Sequence, residues 1–308
     1  MPPSHASTPA FVRGTAVFSS RTAARAAAVS ADMGPLPEWD LTDLYPAMDS
    51  PEFARDLSQA EAECKAFADT YRGRLDTLAR GADAATALTA AVRRYEAVED
   101  LLGRIMSYAG LVYSGDTTDP KRAKFYGDAQ ERLTAASSDL LFFTLELNRI
   151  EDAVLDAAIG AEPLSGYRPW LEDIRRDKPY QLDDRLEQLF HEKSVTGRSA
   201  WNRLFDETIA SLRFTVRGEE LTLEPTLNKL QDSDGELRRD ASEALASVLK
   251  ENLRTFTLIT NTLAKDKEIA DRWRGFEDVA DARHLANRVE REVVEALVTA
   301  VRQAYPPL

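Results

Sequence analysis

Apolar residues recur at helical spacing through almost the whole sequence, and this periodicity predicts a mainly α-helical chain. Ser50-Pro51 reads as an N-cap followed by proline at the first helical position, after which Phe53, Leu57, Ala60, Cys64 and Phe67 share one stripe. A second helix is expected from about 83 to 113, with Leu88, Ala91, Tyr95, Val98, Leu102, Ile105 and Ala109 on one side. Asp119-Pro120 repeats the start signal and opens a third long helix expected to run through Leu147. The link between these two is short, so they should pack antiparallel, with Tyr108, Tyr113, Phe125, Tyr126, Phe142 and Phe143 as core aromatics.

Shorter helices are expected at about 152–159, 167–176, 183–194 and 199–212, punctuated by Pro163, Gly166, Pro179 and Gly197. One β signal interrupts them: 212–216 and 219–223 alternate around Arg217-Gly218 and predict a small hairpin. Ser233 and Glu236 fit a capping box. The face that follows, from Leu237 through Leu245, Phe256 and Leu263, would make a helix of about 50 Å if it ran unbroken to Lys265. The stretch 261–290 carries a charged cluster at Lys265-Asp266-Lys267-Glu268, breaks at Arg274-Gly275 and resumes at Ala282. From about Arg288 a last helix bears Val289, Val293, Leu297, Val298 and Val301, an apolar face without an evident partner, as in a chain cut short. No fixed-period repeat supports a helical solenoid.

Composition narrows the function classes. The 308 residues carry a formal net charge of −13, whose field repels phosphate backbones and argues against nucleic acid as a partner. Cys64 is the single cysteine, so no intramolecular disulfide can form, and a soluble protein of the reducing cytoplasm is expected, with no membrane partner. Residues 1–30 contain Arg13, Arg21 and Arg25 and no acidic residue, the composition of an organelle transit peptide. Their apolar face is short and broken, so residues 1–35 read as a disordered or targeting-like tail. Trp39, Leu41, Leu44 and Tyr45 should anchor a short turn after it.

Candidate chemistry is sparse. The histidines are His5, His191 and His284. His191-Glu192-Lys193-Ser194-Val195 begins like H-E-x-x-H but places valine where the second imidazole must stand, so it is not a zincin motif. His191 is then a packing or surface histidine, and His284 is structural or hydrogen-bonding. Cys64 lies on a core stripe and reads as a buried structural thiol. The pairs Glu151-Asp152, Asp183-Asp184 and Glu219-Glu220 point in divergent directions and read as caps and solvated faces. No Walker A, dinucleotide or G-x-S-x-G sequence occurs. The residues themselves name no catalytic, metal or substrate-binding site.

Five ordered strings add a resemblance: Trp39-Asp40-Leu41-Thr42-Asp43-Leu44-Tyr45-Pro46; Gly115-Asp116-Thr117; Pro179-Tyr180-Gln181-Leu182 leading into Glu187-Gln188-Leu189; Ser199-Ala200-Trp201 with Phe205-Asp206-Glu207; and the run 282–288. Together the sequence resembles the oligoendopeptidase F branch of the zinc metallopeptidases, from about 36 to 308. That resemblance implies the helical N-terminal lobe of a two-lobed metallopeptidase over 36–223 and the start of the catalytic domain over 224–308, truncated before the zinc motif. It implies short peptides as substrates and zinc as cofactor of the full-length protein, with none bound by this chain, which alone should be inactive. A helical peptide-binding or interaction module without hydrolysis is the other reading.

Overall fold

The computed structural model describes residues 39–305, so the readings of the basic tail at 1–35 and of His5 lie outside the described residues. Helix α1 (Pro51–Tyr71) starts where expected: the Ser50 hydroxyl accepts from the Phe53 amide at 3.3 Å, and Pro51 needs no partner for an amide it lacks. A short α2 (Leu75–Ala79) follows, and then α3 (Ala84–Gly115). Helix α4 (Pro120–Ser137) is capped by Asp119, whose carboxylate accepts from the Lys121 amide at 2.7 Å. Helices α1, α3 and α4 enclose the larger core, in which Tyr45, Phe53, Tyr108 and Phe125 meet edge-on or tilted at 4.8–6.0 Å. Tyr45 anchors the N-terminal turn as expected, but Trp39 does not, being 85% exposed.

The third helix does not continue to Leu147. It ends at Ser137, and α5 (Leu141–Arg149) is a separate segment. The hydroxyls of Ser137 and Ser138 both turn back to the Thr134 carbonyl, at 3.2 and 3.0 Å, competing for the acceptor that continued helix needs. The redirected chain delivers Phe143 and Leu147 fully into the core, with Phe143 5.1 Å from Phe67. Helix α6 (Asp152–Ile159), a 3-10 turn at Leu164–Tyr167, α7 (Arg168–Arg176), a second 3-10 turn at Lys178–Tyr180, α8 (Asp184–Lys193) and α9 (Arg198–Ser211) complete this part.

Strands β1 (Phe214–Val216) and β2 (Glu219–Leu221) form an antiparallel hairpin pairing Phe214 with Leu221 and Val216 with Glu219. Arg217 and Gly218 both have positive φ, 51° and 85°, as a two-residue hairpin turn requires. The second strand stops short of the expected 223 because Leu223 already opens α10 (Leu223–Lys229). Helix α11 (Gly235–Glu251) is capped by Asp234, not Ser233: the Asp234 carboxylate takes the Glu236 amide at 2.9 Å. The 50 Å helix is also broken. Asn252 turns its side-chain amide back to the Val248 carbonyl at 3.0 Å, and α12 (Leu253–Arg274) starts anew. A smaller core gathers Leu212, Phe214 and Leu245 with Leu223, Leu227 and Phe256, drawing on both sides of position 223. Helices α13 (Asp281–Ala286) and α14 (Arg291–Ala304) bury no residue, and neither core takes a side chain beyond Phe256. Among the described residues no helix is long and apolar enough to cross a membrane.

Candidate functional site

The segment between α7 and α8 is a rail fixed to the larger core by its polar groups. Arg175 donates through Nη1 to the carbonyls of Leu147, Asn148 and Ile150, each at 3.0 Å, satisfying the acceptors left at the end of α5. Its guanidinium also pairs with Asp152, which Lys178 approaches at 3.0 Å. Asn148 donates to the Ile174 carbonyl at 3.0 Å, and Gln181 donates to the Leu145 carbonyl at 3.2 Å. Asp183 caps α8 by accepting from the amides of Arg185 and Leu186 at 3.1 and 3.2 Å. These bonds leave little freedom to Tyr180 or to the first turn of α8.

Glu187, on that first turn, is completely buried, and its Oε1 accepts from the Leu182 amide at 2.9 Å. Arg274 reaches it from the last position of α12. The pair is bidentate, Nη1 to Oε1 at 2.7 Å and Nη2 to Oε2 at 2.8 Å, with the Arg274 side chain 12% exposed. Nη1 donates further to the Tyr180 carbonyl at 3.1 Å, and the guanidinium lies 5.7 Å over the Phe190 ring. Burial works to raise the Glu187 carboxyl, the hydrogen bonds from Arg274 and the Leu182 amide are among the interactions that lower it, and the group lies below the usual carboxylate range.

Gly275 brings the following chain back onto the rail. Its φ of 79° closes α12 in the left-handed region, and the Phe276 amide returns to the Asp271 carbonyl at 3.0 Å. Phe276 then stacks on Tyr180 with centroids 4.1 Å apart and planes 17° apart. Past α13, the Arg288 Nε lies 2.9 Å from Asp173. Between the rail and α13 an open depression of about 420 Å³ is lined by Tyr180, Glu277, Asp281, His284, Leu285 and Arg291, among others. Asp281 and Arg291, both on its lining, are paired with each other. The result is a wall of both charge signs with an aromatic ring, suited to holding polar chain ends. It supplies no paired nucleophile and base.

The residues singled out from sequence are distributed as follows. His191 is a packing histidine: its Nε2 sits 2.9 Å from Ser137 Oγ and 3.1 Å from the Thr134 carbonyl, tying α8 to α4, and burial lowers its pKa. His284 lines the depression. Cys64 is fully buried, and burial pushes its thiol up to about 12. Asp184 pairs with Arg149, Glu151 with Arg80 and Glu219 with Lys229, so the acidic pairs serve as caps and ion pairs. Asp116 holds the Thr118 amide and hydroxyl in a local turn. Phe205 meets Phe256 of α12 at 5.8 Å. The pairing of Glu187 with Arg274 was not expected, because 87 positions separate them. The one signal for it was an arginine placed directly before a helix-ending glycine.

Residues 146–214 match the family model described as Oligopeptidase F. The family this chain resembles is oligopeptidase F. The match runs from α5 to β1 and includes Tyr180, Leu182 and Glu187, one whole side of the buried junction. The oligopeptidase PepF of Bacillus subtilis (strain 168) is 26% identical over 278 residues, covering 88% of this chain and 40% of that protein. The group B oligopeptidase PepB of Streptococcus agalactiae serotype III (strain NEM316) is 24% identical over 214 residues, covering 67% and 36%. The crystal structure of oligoendopeptidase-F from Enterococcus faecium shares the fold with a TM-score of 0.70 at 22% identity, over 83% of this chain and 50% of that one. The chain therefore spans about two-fifths of the length of the oligopeptidases it resembles in sequence.

Proposed function

We propose that these residues form the peptide-cradling, non-catalytic part of a zinc-dependent oligoendopeptidase acting on short peptides. On this reading 36–223 is the N-terminal lobe and 224–308 opens the catalytic domain, in a cytoplasmic protein with no nucleic-acid or membrane partner. The observation that supports it is the oligopeptidase F match over 146–214, the stretch that builds the rail and one wall of the depression. The donor set does not fit zinc. Among the described residues no group of histidine, cysteine and carboxylate side chains converges as a metal site, His191 is engaged with Ser137 and Thr134, and Val195 stands where a second histidine ligand would be needed. On this reading hydrolysis depends on zinc ligands that the described residues do not bring together.

Peptide binding is tested by fluorescence anisotropy with labelled peptides of five to twelve residues or so, alongside metal analysis of the dialysed chain. Weak saturable binding that weakens in Tyr180→Ala, with no stoichiometric zinc, is the expected result. Absence of peptide binding, or one tightly held zinc per chain, would contradict the reading.

A further inference from the structure

We draw no further inference here: the strongest candidate, the open depression at the start of α8 where Asn148 and Gln181 each carry a side-chain oxygen without a hydrogen-bond partner among the described residues, carries nothing because both oxygens are sealed from solvent and Arg149 and Lys178 on its lining are already paired with Asp184 and Asp152.

Discussion

Glu187 shows how a single carboxylate is kept ionised where burial opposes it. Burial pushes its pKa up, and the two hydrogen bonds from Arg274 and the one from the Leu182 amide are among the interactions that bring it down. Its folded pKa lies below the unfolded glutamate value of about 4.3. The stabilisation is thus fully present above that value and is lost as pH falls through the lower folded one. Trp273, adjacent to Arg274 and half exposed, reports on the junction. Its emission should change in acid below pH ~4 in the wild type and lose that component in Glu187→Gln; identical acid profiles would remove the carboxylate from the account. Cys64 gives an independent check. With its thiol buried and pushed up to about 12, it should resist alkylation in the native chain at neutral pH and react at once in denaturant. Prompt native labelling would contradict the core placement.

At the scale of elements, legibility followed how local each determinant was. Ser50-Pro51 and Asp119-Pro120 were readable as helix starts because cap, proline and apolar stripe lie within one turn. The hairpin was readable because Arg217-Gly218 sits between alternating runs. The breaks at 138–140 and at Asn252 were not. In both places side chains bond back to a carbonyl four residues or fewer behind, but Ser58 does the same to Ala54 inside the unbroken α1, so the residue type alone marks no break and packing elsewhere decides it. At 138–140 the favouring group is Phe143, fully buried against Phe67, Tyr95 and Trp170. Phe143→Ala should cost about 3–5 kcal/mol in a denaturant titration. A loss under about 1 kcal/mol would mean the turn is set locally instead. The junction was half legible: the strings around Tyr180 and Glu187 stood out, but a contact across 87 positions leaves no trace in one sequence.

Among the described residues, two hydrophobic cores of unequal size are followed by an amphipathic α14 whose Val293, Leu297, Val298 and Val301 are exposed, as is Tyr305 just past its end. Such a face favours self-association. Leu297→Glu combined with Val301→Lys should lower the sedimentation-derived association at high concentration without moving the melting transition. An unchanged association would place the sticky surface elsewhere. On the proposed function these residues cradle peptide but carry no metal-dependent chemistry of their own. The deciding measurement is a quenched-fluorescence oligopeptide assay on the 308-residue chain, run with zinc and with chelator. Equal background signal in both conditions is expected, and chelator-sensitive turnover would overturn that proposal.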